Sequence, residues 1–102
     1  MNYCYGNYQK EYNITGNWKS SQGKLIRIAT FPKADFIIMI SAQNDVNVGK
    51  TLEGKWINKG KTFYFIHKKE KRKYFGQFLT QNKIIIKNEQ GKILDNWIRI
   101  KN

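Results

Sequence analysis

Hydrophobic and polar residues alternate along this chain in short runs, and three of those runs share one pattern: apolar, any residue, Gly, any residue, aromatic. They read Ile14-Thr15-Gly16-Asn17-Trp18, Leu52-Glu53-Gly54-Lys55-Trp56 and Tyr74-Phe75-Gly76-Gln77-Phe78. Side chains two apart on a strand share a face, so the marked positions of each run point the same way. A Gly between two bulky inward groups lets a sheet bend tightly, or lets another side chain lie across it. The pattern predicts a strongly curved antiparallel sheet closed into a small barrel. Ile14, Trp18, Leu52, Trp56 and Phe78 are expected inside it.

Turn signals recur at short spacing between β-prone runs. Ser20-Ser21-Gln22-Gly23, Asn58-Lys59-Gly60-Lys61, Thr80-Gln81-Asn82-Lys83 and Asn88-Glu89-Gln90-Gly91 are four of them. The strands expected between such signals are Ile14–Ser20, Lys24–Thr30, Asp35–Ser41, Lys50–Asn58, Thr62–His67, Tyr74–Thr80, Ile84–Asn88 and Ile93–Lys101. Asp35–Ser41 is apolar on both faces, so its outer side calls for a cover. Ala42–Gly49 reads as the longest polar loop, and Lys68–Lys73 as a basic connection. No run keeps a helical period. The reading is an all-β, single up-and-down barrel of about eight strands over residues 14–102, preceded by a Tyr-rich arm over residues 1–13.

Composition then narrows the function. At 102 residues the chain has room for one domain, large enough to bury a core without staples. A single Cys excludes an internal disulfide framework. The opening Met-Asn-Tyr-Cys-Tyr-Gly has neither basic n-region nor apolar h-region, and the longest apolar run, Phe36–Ile40, is far short of a membrane span. A soluble intracellular protein is the expectation. Lys and Arg number 19 against 7 Asp and Glu, a net charge of +12. Lys, Asn and Ile number 16, 11 and 14, the bias of an AT-rich genome, which explains Lys over Arg but not the shortage of acids. The excess therefore points to an anionic partner: nucleic acid, ribonucleoprotein or an acidic protein surface.

Catalytic chemistry finds no support. His67 has no His or Cys partner at ligand spacing, so no metal site is expected. The acids are scattered without a close pair, Cys4 has no neighbouring base, and no Gly-rich phosphate loop is present in the sequence. No cofactor is implied, and the chain is read as a non-catalytic binding or adaptor protein.

Two surfaces are candidates for binding. His67, Lys68, Lys69, Lys71, Arg72, Lys73 and Tyr74 place five permanent cations on one hairpin end. Cations beside aromatic rings suit an anionic partner, and single strands of nucleic acid among such partners. Tyr3, Tyr5, Tyr8 and Tyr12 form the second. Tyr offers large contact area at low entropy cost, so the arm either docks a partner, as in an inhibitor or assembly subunit, or plugs the end of its own barrel.

Gly16-Asn17-Trp18 on the first strand, with Arg99 beside Trp97 and Ile98 on the last, resembles the calycin pattern of lipocalins and avidin-like proteins. The resemblance implies that Arg99 packs over the Trp18 ring and latches the first strand to the last. It also implies a carrier of a small apolar ligand, which makes that the rival to an anionic partner. The chain departs from the pattern in being shorter than a typical lipocalin and in lacking its disulfides.

Overall fold

The computed structural model describes residues 12–31, 34–42, 45–58, 60–67 and 71–100. These form eight strands: β1 (Gly16–Ser20), β2 (Leu25–Phe31), β3 (Ala34–Ala42), β4 (Asp45–Asn58), β5 (Thr62–His67), β6 (Arg72–Thr80), β7 (Lys83–Lys87) and β8 (Ile93–Arg99). Each pairs antiparallel with the next, and β8 pairs back onto β1, closing an up-and-down barrel. The fold is all-β, as the alternation predicts. Among the described residues no helix is long and apolar enough to cross a membrane.

Alternation carries one face of every strand into the core. Trp18, Ile26, Ile28, Phe36, Ile38, Leu52, Phe63, Phe78, Ile84 and Trp97 are all essentially buried, and Ile14 joins them just ahead of β1. Trp56 is only half-buried, packed against that core from one end of the barrel. Around Phe36 the aromatic rings meet edge to face, Phe36 on Trp56 at 5.3 Å and Phe36 on Phe63 at 5.4 Å between centroids, an arrangement that ring quadrupoles favour.

The repeated Gly residues explain how so many rings fit. Gly54 is the register partner of Phe36, and Gly76 of Phe63. In both places the ring of the neighbouring strand lies across the bare backbone. A side chain at either position would occupy the volume the ring now fills, so these Gly residues are seats for aromatic rings.

Several boundaries differ from the sequence reading, and three of them change how the ends of the barrel are built. The expected polar loop Ala42–Gly49 is largely strand, because β4 begins at Asp45. The register jumps between Ser41 and Ala42, so the ladder absorbs these polar residues in an irregularity at its end. Long, apolar β3 supplies the pairing partner, and pairing overrides the weak strand propensity of Asn and Gly. The first strand is shorter than expected, starting at Gly16. β6 starts early, at Arg72, so Arg72 and Lys73 belong to the ladder opposite His67 and Ile66 instead of to a loop.

Candidate functional site

Up-and-down topology gives the barrel two different ends. One collects the N-terminal lead-in, the β2–β3, β4–β5 and β6–β7 turns and the end of β8. Here Trp18 and Arg99 are register partners across the closing seam. The Arg99 guanidinium lies over the Trp18 ring, 4.3 Å from its centroid. Its nitrogens also donate to the carbonyls of Thr15 at 3.1 Å, Gln81 at 3.1 Å and Asn13. Burial lowers the pKa of this guanidinium from its ordinary value by desolvation. Gly16 has φ +133°, and its open face leaves Arg99 Nη1 3.2 Å from where a Cβ would stand. The Trp18 indole N–H donates to the Ile14 carbonyl at 2.9 Å, and the Tyr12 ring stacks on Phe78 at 4.7 Å. Cation, indole and phenol together seal this end.

Among the described residues the other end is open. Side chains of all the strands leave a cavity of about 340 Å³ there, lined by apolar groups that include Ile26, Ile40, Leu52, Phe65, Tyr74, Ile86, Leu94 and Trp97. Ser20, Gln22, Lys24 and Asp95 supply its polar edge. Eight-stranded barrels sit at the size where side chains either fill the interior or leave room for one small ligand. This one leaves room at one end, near the lower limit for small-molecule pockets, about 300 Å³.

Asp95 fixes the mouth. One carboxylate oxygen accepts from the Ser21 amide at 3.0 Å, the Ser21 hydroxyl at 2.6 Å and the Asn96 amide at 2.8 Å. The other accepts from the Trp97 indole N–H at 3.2 Å. Oδ1 thus ties the β1–β2 turn to β8 and Oδ2 holds the Trp97 indole of the same strand, so both oxygens are occupied, which leaves Asp95 poorly suited to act as a general base. Ser20, only 5 % exposed, accepts from the amides of Gln22 and Lys24, both at 3.1 Å. Its hydroxyl proton has no acceptor among the described residues and is available to a ligand oxygen. Among the described residues no three His, Cys, Asp or Glu side chains group as a metal site.

The end of β5 and the start of β6 lie at this end of the barrel. Lys71, Arg72 and Lys73 are exposed, and Lys71 has a left-handed φ of 54°. Lys73 Nζ stands 4.7 Å from the Tyr64 ring centroid. Tyr74 turns inward instead, stacked on Phe65 at 5.3 Å, and lines the cavity. Lys68 and Lys69 lie outside the described residues, as do Tyr3, Tyr5 and Tyr8, and His67 is described for its backbone alone. The described cations therefore divide from Tyr74: Lys71 and Arg72 are exposed at this end, Lys73 faces outward over Tyr64, and Tyr74 forms part of the cavity wall. Tyr12, counted with the arm, belongs to the sealed end.

The sequence reading missed Ser20 and Asp95, and had a ligand-holding interior only as what the calycin resemblance implies. A usable signal was present: Ser20, Tyr74 and Asp95 fall on inward positions of their strands, where a solid core would have asked for apolar residues. No family model, no curated protein and no solved structure matches this chain.

Proposed function

We propose that this barrel is a non-catalytic, calycin-like carrier that takes a small, mainly apolar molecule into its open end. The observation that carries the reading is the cavity: a filled interior would have removed the carrier, and about 340 Å³ is unfilled. The Trp18–Arg99 seal at the opposite end supports it, because a cup needs one closed end. Apolar walls supply affinity, and the Ser20 hydroxyl and Lys24 at the edge orient a polar group of the ligand.

Trp97 lines the cup and reports on it. Titration with apolar molecules of graded size should change Trp97 fluorescence saturably for ligands that fit, and not for larger ones. Ile40→Trp or Leu94→Trp, both at partly open lining positions, should block uptake while the protein stays folded. Uptake unaffected by either variant, or no uptake of any probe, would overturn the carrier reading.

A further inference from the structure

The outer wall of the barrel holds a second site, independent of the cavity. Lys55 on β4 is the register partner of Tyr64 on β5, Tyr64 of Phe75 on β6, and Phe75 of Lys87 on β7. Directly opposed residues in an antiparallel sheet share a face. Here that face is the outer one, because the neighbours Phe63, Phe65 and Phe78 fill the core, to which neither Tyr64 nor Phe75 belongs. Four adjacent strands thus carry one transverse row, cation, ring, ring, cation. Lys73 adds a third ammonium, already placed over Tyr64. Both rings are partly exposed, and the described chain is barrel wall, turns and a short lead-in at the sealed end, so no described element covers the row.

We propose that this row binds a single strand of nucleic acid, with bases stacked on Tyr64 and Phe75 and phosphates held by Lys55, Lys73 and Lys87. The row spans three interstrand steps, about 14 Å at roughly 4.8 Å each, room for two bases with a phosphate at either side. Partly exposed rings serve unpaired bases, which every single strand offers and a duplex hides; a base takes the Tyr64 face as Lys73 moves from the ring to a phosphate. The net charge of +12 complements a polyanion and opposes a second copy of this chain on the same surface. An acidic protein would use the cations and leave the in-register rings without a role. The inference goes beyond the carrier reading and does not depend on it.

The test is fluorescence anisotropy of the full chain with a labelled oligothymidine, with the same sequence as a duplex, and with vesicles of phosphatidylserine and phosphatidylcholine. The single strand should bind best, and its affinity should fall steeply with salt. Tyr64→Leu with Phe75→Leu keeps the apolar area, removes the π faces, and should weaken binding about tenfold or more. Lys55→Gln with Lys87→Gln should flatten the salt slope by about two phosphates. Leu94→Trp, which fills the cavity, should change nothing here. Equal affinity for duplex or vesicles overturns the proposal, as does wild-type binding by the leucine pair. It also falls if neutralising Lys68, Lys69, Lys71 and Arg72 abolishes binding while the row variants retain it.

Discussion

Phe36 lies across Gly54 so closely that a Cβ on residue 54 would stand 2.0 Å from Phe36 Cε2. The second such seat, Gly76 under Phe63, would put that Cβ 2.1 Å from the ring. Both rings are fully inside the core, and Trp56 and Phe78 pack against them. Neither ring can retreat without displacing others. Gly54→Ala should therefore cost about 1–3 kcal/mol, the usual range for overpacking, and Gly54→Val more. Combining Gly54→Ala with Phe36→Leu should cost less than the two singles added, because the shorter side chain frees the seat. Urea denaturation of the four proteins reads this, and a harmless Gly54→Val would refute it.

The Arg99–Trp18 contact should appear as coupling. Replacing Arg99 by Met and Trp18 by Leu, singly and together, should give an interaction term of about 0.5–2 kcal/mol, set by how far the pair is desolvated. Arg99 also donates to carbonyls of Asn13 and Gln81, so the Arg99 single variant should exceed the coupling alone. Additivity across the cycle would assign the latch to those hydrogen bonds instead of to the indole.

Asp95→Asn keeps the shape but turns charge-assisted bonds into neutral ones and puts an NH2 where one oxygen now accepts. A loss of about 1–3 kcal/mol is expected. Amide exchange at Ser21 and Asn96 should quicken beyond what the lower global stability explains, since both donate to Asp95. Unchanged protection at Ser21 would show that its N–H is held by its second acceptor, the Asn96 carbonyl at 2.8 Å, and not by this carboxylate.

Lys71 holds a left-handed φ of 54° that lysine adopts at a cost. Gly carries no such penalty, so Lys71→Gly should be neutral or stabilising by up to about 1 kcal/mol. Thermal unfolding measures it directly. A destabilised variant would mean that the exposed side chain contributes more than its backbone strain removes.

Much of this architecture could be read from spacing alone. Leu52, Gly54 and Trp56, two apart, announced a shared face, and turn residues such as Asn88-Glu89-Gln90-Gly91 marked where the chain reverses. Inward Trp18 and outward Lys19 follow from period-2 alternation, which is local. What stayed hidden depended on distant partners. Asp45–Asn58 extends past its apolar run because β3 is there to pair with it, and no window of sequence shows that. The cavity is a difference between barrel volume and the side chains of eight strands, so no single residue encodes it. Tyr74 looked like part of a basic tip because Lys73 precedes it. The register of β6 against β5 sends the two side chains to opposite faces. The row Lys55, Tyr64, Phe75 and Lys87 escaped notice for the same reason, being contiguous only across strands.

The seam between β1 and β8 has a kinetic consequence. Arg99 reaches Thr15 across 84 residues of sequence, whereas each hairpin closes over a few. Short loops form early and the two chain ends meet last, so the rate of folding should be governed by their encounter. Until that moment Gly16–Ser20 and Ile93–Arg99 are open edges, able to accept a strand from another molecule. Concentrated refolding is therefore expected to yield strand-exchanged dimers that dilute refolding avoids, and size-exclusion chromatography after each would distinguish the two.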